Sequence, residues 1–375
     1  MNKPEEIARA RFKTKSFRPP QSDVIENVLC RRNTLCLMPT GEGKSLCYQV
    51  AGLCTGKMTV VISPLRALAF QQTQILKDLG LNSVLIDSGL SGIKQFETLR
   101  ACLEEPPQFL MFSVERAAND GYLEFILRQL RNRIGLVTID EAHCVSQWGH
   151  NFRPAYKEIP DFIDRVFLQD PRPPVLCLTA TLSSKDRAEI CSDFKIHEKD
   201  VFRTARLERT NLQLTTEIFE DEVSKLVRLE AILRSHPDEK ILVYVHRKRG
   251  KYGTSKLAQM FRNKGIDCGY FDADLDTKQR GEVLDAFTTG KTKTVFATGA
   301  FGMGVHIPDI RIVVHYLLPE SIEQYYQEAG RAGRDRKPSY CYLLFSATNI
   351  KVRKDLIREA FPTREQVESF FNYNH

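Results

Sequence analysis

Thr34-Leu35-Cys36-Leu37-Met38-Pro39-Thr40-Gly41-Glu42-Gly43-Lys44-Ser45 runs from a short apolar stretch, through a glycine-rich turn, into a segment of helical spacing. Strand, tight turn and helix in that order open a βαβ unit. The turn nearly matches the phosphate-loop pattern G-x-x-x-x-G-K-[ST]. Gly43, Lys44 and Ser45 fit it, and Met38 stands where the first Gly would be. Gly41 and Gly43 let backbone N–H groups converge on phosphate oxygens, and the helix N-terminus adds its dipole. Lys44 is expected to reach β- and γ-phosphates and Ser45 to ligate Mg²⁺, with Thr40 in the same cradle.

Outward from this loop, apolar runs recur at Thr34–Leu37, Thr59–Ile62, Gln108–Phe112, Leu136–Ile139 and Val175–Leu178. Helical spacing lies between them, as at Ala67–Leu79 and Leu123–Arg131. Several runs are almost continuously apolar, the pattern of strands buried on both faces of a parallel sheet. The rhythm restarts after Arg206, with runs at Lys240–Val245, Asp267–Phe271, Lys293–Ala297, Arg311–Tyr316 and Ser339–Phe345 and helices such as Ser255–Lys264 and Thr277–Thr288. The expected class is α/β, as two parallel-sheet domains over 1–205 and 206–346 and a helical C-terminal extension over 347–375. In the extension Thr363 and Gln366 form a capping-box pattern, and Val367, Phe370 and Phe371 share one helical face.

Asp140-Glu141-Ala142-His143 follows the run Leu136–Ile139. Carboxylates at the carboxyl end of a parallel strand sit where such sheets bind ligands. Asp140 is expected to hold Mg²⁺ through water, and Glu141 to orient and deprotonate an attacking water. Further along, Gln327-Glu328-Ala329-Gly330-Arg331-Ala332-Gly333-Arg334 spaces two arginines three apart, read as adjacent turns of a helix. Guanidinium groups suit the charge on a transferring γ-phosphoryl.

Composition is that of an ordinary globular protein. The 375 residues are 42% hydrophobic and 27% charged, which excludes a disordered or fibrous chain. The net charge of +7 divides into +3 over 1–205 and +4 beyond, permitting a polyanionic partner without requiring one. None of the ten cysteines stands in a C-x-x-C pair, so buried thiols in a reducing compartment are expected rather than a structural zinc or a disulfide framework. No run spans a bilayer and no leader opens the chain, so a cytoplasmic (nucleoid) or nuclear protein is expected, not a secreted or membrane one.

Taken in order, these motifs resemble superfamily-2 helicases, and specifically the RecQ family, over nearly all of residues 8–346. Cys144-Val145-Ser146-Gln147-Trp148-Gly149-His150-Asn151-Phe152-Arg153-Pro154-Ala155-Tyr156, directly after His143, is similar to that family's aromatic-rich loop. Aromatic faces and guanidinium planes stack on unpaired bases without sequence preference. The resemblance implies two tandem RecA-like domains with ATP in the cleft between them, and ATP and Mg²⁺ as cofactors. It also implies 3′–5′ translocation on single-stranded and partially duplex DNA. It assigns Arg18 and Gln21, within Phe17-Arg18-Pro19-Pro20-Gln21, to adenine. Lys44, Asp140, Glu141, His143, Gln327, Arg331 and Arg334 become the catalytic set. Ser63, Pro64, Ser113, Glu115, Arg116, Trp148, His150, Phe152, Arg153, Arg247, Thr298 and Phe301 become the strand-binding set. Thr179-Ala180-Thr181 resembles the inter-domain coupling motif.

Departures from the family pattern are Thr14 in place of a base-stacking Tyr, Asn151 in place of Asp, and Phe271-Asp272-Ala273-Asp274-Leu275 in place of Tyr-His-Ala-Gly-Leu. The two carboxylates are expected to repel a nearby phosphate backbone. Alternatives kept open are a DNA-stimulated motor subunit without unwinding of its own, a binding module with a dead ATPase, and RNA as substrate. Protein partners are expected at the C-terminal helix.

Overall fold

The structure, a computed structural model, describes residues 3–39, 41–64, 66–87, 89–145, 154–168, 172–180, 182–204, 209–245, 247–301 and 307–360. The chain forms two compact units, Met1–Leu207 and Glu208–His375.

In the first unit β1 (Thr34–Leu37), β2 (Met58–Ser63), β3 (Ser83–Ile86), β4 (Phe109–Ser113), β5 (Ile134–Ile139), β6 (Val175–Thr179) and β7 (Val201–Arg203) form one sheet, in the order β3-β4-β2-β5-β6-β1-β7. Every pairing in it is parallel. Successive strand residues face opposite ways, and both faces are buried. Leu110 and Phe112 join one core with Leu123, Ile126 and Phe162, from helices Gly121–Leu130 and Ile159–Val166. Phe109 and Met111 join the other with Ile25, Tyr48 and Leu76, from helices Gln21–Leu29, Lys44–Thr55 and Arg66–Asp78.

The second unit repeats the plan. β8 (Leu212–Phe219), β9 (Lys240–Tyr244), β10 (Cys268–Phe271), β11 (Thr294–Ala297), β12 (Ile310–His315) and β13 (Ser339–Ser346) lie parallel in the order β10-β11-β9-β12-β13-β8. Ile241 and Val243 pack on Leu229, Leu257 and Phe261, while Leu242 and Tyr244 face Phe287 and Phe301. Helix Ala347–Ala360 then docks on this unit: Arg353 Nε donates to Leu318 O at 2.9 Å, and its Nη1 lies 3.2 Å from Glu320 Oε1.

The apolar runs fall within one or two residues of β1, β2, β4, β5 and β6. They miss β3, β7 and β8, which are sheet edges. The fourth edge, β10, falls on the run Asp267–Phe271; β7 is only three residues long, and β8 is interrupted by polar residues. The capping box at Thr363 lies outside the described residues.

All ten cysteines are unbridged thiols, eight of them buried. Among the described residues, no helix is long and apolar enough to cross a membrane, and no three His, Cys, Asp or Glu side chains gather as a metal cluster.

Candidate active site

The phosphate loop leaves β1 at the carboxyl edge of the first sheet, where Met38 N donates to Thr179 O at 3.0 Å. Gly41 and Gly43 have φ of +87° and +88°, a region that costs a residue with a Cβ about 1–2 kcal/mol. At Gly43 there is also no room, because a Cβ would lie 2.8 Å from Gln21 Nε2. Gln21, 2% exposed, donates from Nε2 to Glu42 O at 3.2 Å and Gly43 O at 3.0 Å, and its Oε1 accepts from Arg18 N at 2.9 Å. With its donors and acceptor satisfied in this way, the buried amide braces the loop. Gln21→Ala is expected to lower stability by about 1–3 kcal/mol, from the carbonyls left unbonded, and to raise KM for ATP. Urea unfolding and steady-state hydrolysis measure the two effects. Arg18 is exposed and reaches Glu42 Oε2 at 3.5 Å. Lys44 is buried, and its Nζ donates to Met38 O at 3.1 Å. Ser45 stands in the first turn of helix Lys44–Thr55. Thr40 lies outside the described residues.

Two strands away, Asp140 N donates to Ile62 O at 2.9 Å and extends the β5–β2 pairing. Burial, with the charge of Glu141, pushes the Asp140 carboxyl up to about 7 against the pull of Lys44. A buried carboxylate so short of positive charge, with the Ser45 hydroxyl at a helix start, is a donor set that fits a hard cation such as Mg²⁺. Glu141 has φ of +49°, a strained backbone for a residue with a side chain. Asp140 Oδ1 accepts from Glu141 N at 3.0 Å, and buried Tyr156 donates its hydroxyl to Asp140 O at 2.9 Å. His143 Nδ1 lies 3.1 Å from Thr179 Oγ1 and 3.3 Å from Glu141 Oε2. Burial alone would lower the His143 pKa, but hydrogen bonds to Cys144 and Glu141 outweigh it and hold the ring up to about 10. Glu141, His143 and Thr179 thus tie the end of β5 to the end of β6.

In the second unit Gln327 lies on helix Ile322–Ala329, which ends before the arginines. The two-turn helical reading of Arg331 and Arg334 is corrected: they lie in the turns after it, because the chain breaks at Gly330 and passes through Gly333 at φ of +53°. Burial, with the adjacent Arg331 charge, pulls Arg334 down to about 9. Behind the turn, fully buried His315 places Nε2 2.9 Å from Glu328 Oε2.

The strand-binding candidates divide. Ser63 and Ser113 pair in register at the carboxyl ends of β2 and β4, Ser63 and Pro64 buried and Ser113 half-buried. Glu115 is exposed on helix Val114–Asn119, and beside it Arg116 is held by Asp120 and by Gln95 Oε1 at 2.5 Å. Thr298 is buried, and its N–H donates to Phe271 O at 3.2 Å. Phe301 is corrected to a core residue: it is 1% exposed, its ring edge-on to Phe271 and Phe287. Arg247 is exposed and, with Lys248, Arg249, Asp274 and Asp355, lines a cavity of about 540 Å³. The acidic pair has partners of its own within this unit. Asp272 is buried and accepts from Thr254 Oγ1 at 2.6 Å and Asp274 N at 3.0 Å, while Asp274 pairs with Lys248 at 2.9 Å. Trp148, His150, Phe152 and Arg153, and with them Thr181, lie outside the described residues.

Sequence reasoning passed over Tyr156 as an anchor of Asp140, and over Arg209 and Asn211, which bond the arginine turn. An isolated R-x-N carries no period or spacing that marks it.

Residues 18–190 match the DEAD/DEAH box helicase family, and residues 224–336 match the helicase conserved C-terminal domain. The ATP-dependent DNA helicase RecQ of Pasteurella multocida is 32% identical, over 97% of this chain and 56% of its own length. The protein of the same name from Bacillus subtilis is 34% identical, over 93% of this chain and 57% of its own. The chain thus spans little more than half of either relative. A solved structure of S. cerevisiae Dbp5 bound to RNA and ADP–BeF3 superposes with a TM-score of 0.67 at 17% identity, over 96% of this chain and 92% of that one, a likeness of fold alone. With two helicase domains in tandem and a third of the residues shared along almost its whole length, the chain belongs to the RecQ family of helicases.

Proposed function

We propose that the chain is the motor core of an ATP-dependent DNA helicase that moves 3′ to 5′ along one strand. The observation that carries the reading is the convergence of buried Lys44 and Asp140 with half-buried Glu141 at the carboxyl edge of one sheet, with the Asp140 carboxyl short of positive charge. In this reading Lys44 moves from Met38 O to the β- and γ-phosphates, which the N–H groups around Gly41 and Gly43 also meet. Ser45 and Asp140 hold the metal. Bound Mg²⁺ would neutralise charge on the phosphates as the bond breaks. Glu141 takes the proton of the attacking water, and His143, bonded to it, fixes its orientation. Gln327, Arg331 and Arg334 serve the γ-phosphoryl.

Arg18 and Gln21 serve the base. Strand contact falls to Ser63, Pro64, Ser113, Glu115, Arg116, Arg247 and Thr298 for the backbone, and to Trp148, His150, Phe152 and Arg153 for the bases. The names of the relatives and the resemblance to the RecQ aromatic loop support DNA as the polymer. The direction rests on the resemblance.

The test measures hydrolysis with and without single-stranded DNA, and displacement of duplexes carrying a 3′ or a 5′ tail. Stimulation by DNA, loss of both activities in Lys44→Ala, and displacement of the 3′-tailed duplex alone are the expected results. Stimulation without displacement would reduce the chain to a translocating motor, and preferential stimulation by RNA would overturn the choice of polymer.

A further inference from the structure

We propose that Arg209 is a positioning residue for ATP hydrolysis, its buried guanidinium setting the shape of the turn that carries Arg331 and Arg334. The inference rests on the role proposed above for those two arginines.

Arg209 is 8% exposed. Its Nη1 donates to Gly330 O at 3.3 Å, and its Nη2 to Ala332 O at 3.0 Å and Gly333 O at 2.6 Å. Its Nε donates to Asn211 Oδ1 at 3.2 Å, and Asn211 Nδ2 donates onward to Gly333 O at 2.9 Å and Lys337 O at 2.9 Å. The accepting carbonyls flank Arg331 on both sides and precede Arg334 directly. They need such a partner because the last carbonyls of a helix, and those of the turn after it, have no ladder to join. A planar fork with five donors can hold three of them at once, whereas an ammonium is a point charge on a flexible stem.

Two further observations point to shape rather than to charge. Gly333 is pressed so closely on this scaffold that a Cβ would lie 2.5 Å from Asn211 Nδ2 and 2.6 Å from Ser339 Oγ. On its other side Gly333 N donates to Ile310 O at 2.8 Å, so the turn is fixed from both flanks. Arg209 also brings like charge towards Arg334, whose cation it disfavours. Hydrogen bonding to the three carbonyls must outweigh that repulsion. A turn held this firmly keeps two guanidinium groups at fixed stations, where displacement by an ångström can cost two orders of magnitude in rate.

The test uses the full chain and compares Arg209→Ala, Arg209→Lys, Arg331→Ala, Arg334→Ala and Arg209→Ala/Arg334→Ala. DNA-stimulated kcat, KM for ATP, affinity for a fluorescent ADP and thermal unfolding are measured on each. Arg209→Ala should lower kcat about 10–100-fold. KM and ADP affinity should stay within about twofold, the signature of an interaction made in the transition state. Arg209→Lys should recover little of the loss, and Arg209→Ala should add little to Arg334→Ala, since the residue acts through that turn. If Arg209→Ala does not fold at the assay temperature, the folded Arg209→Lys protein decides. Wild-type kcat in a folded Arg209 variant, or losses that multiply in the double variant, would overturn the inference. Should Arg331→Ala and Arg334→Ala leave hydrolysis unchanged, the role of the arginines falls and this inference with it. Should they slow it while Arg209→Ala does not, this inference falls alone.

Discussion

Glu141→Gln is expected to lower kcat for ATP hydrolysis by about 10²–10⁴-fold, the range a positioned general base contributes. Nucleotide affinity should stay near wild type, because Lys44 and the loop around Gly41 and Gly43 are untouched. The substitution is close to isosteric, so the backbone at Glu141, strained at φ of +49°, keeps its neighbours. What it removes is the capacity to take a proton, and with it the negative charge beside His143. The ring of His143, held up to about 10 in part by its bond to Glu141, should then titrate lower. Selective labelling of histidine and an NMR pH titration would read that shift independently of turnover. Unchanged DNA-stimulated hydrolysis in Glu141→Gln would show that another group activates the water.

Arg334→Ala carries the larger expected effect, about 10³–10⁵-fold in kcat, the contribution of an arginine that meets a transferring phosphoryl group. Burial and Arg331 pull the Arg334 guanidinium down to about 9, so this cation gains more from an anion than an exposed one would. Arg331→Ala should act in the same direction. The two losses should fall short of multiplying, because both side chains leave one turn and, in the role proposed for them, address one charge. Single-turnover hydrolysis at saturating ATP separates this loss from any change in binding. A variant that hydrolyses at the wild-type rate would remove both arginines from the chemistry.

The sheets were legible in the sequence where burial on two faces forces continuous apolar runs, as at Val60 to Ile62 and Phe109 to Phe112. Leu212–Phe219 was not, because this edge strand is interrupted by Gln213, Thr215, Thr216 and Glu217, whereas Ser83–Ile86 was passed over although Val84 and Leu85 pack on opposite faces of the sheet. The strand, glycine turn and helix around Gly41 and Gly43 were legible because glycine and lysine stand there at a fixed spacing. Residues that support such a loop obey no comparable rule. Gln21 was noticed for its amide, but its bracing of the loop was not foreseen, since only coordinates show that Glu42 O and Gly43 O lie within its reach. Phe301 stands among glycines and was taken for a strand contact, yet its ring faces Phe271 and Phe287. The carboxylates at 272 and 274 were counted only as charges, and their partners Thr254 and Lys248 are distant in sequence. Arg209 is the extreme case, with its accepting carbonyls more than a hundred residues downstream.

The buried charges of the site bear on how this protein can be made more robust. Asp140 and Arg334 are each held where the charged form is disfavoured, so the groups assigned to chemistry work against the fold that carries them. Selection for heat resistance alone should therefore drift towards neutral replacements at these two positions, and the hardier variants would be inert. Improvement without that trade lies elsewhere, in exposed apolar positions such as Leu214 and Ile218 on the outer strand of the second sheet, where substitution touches neither charge.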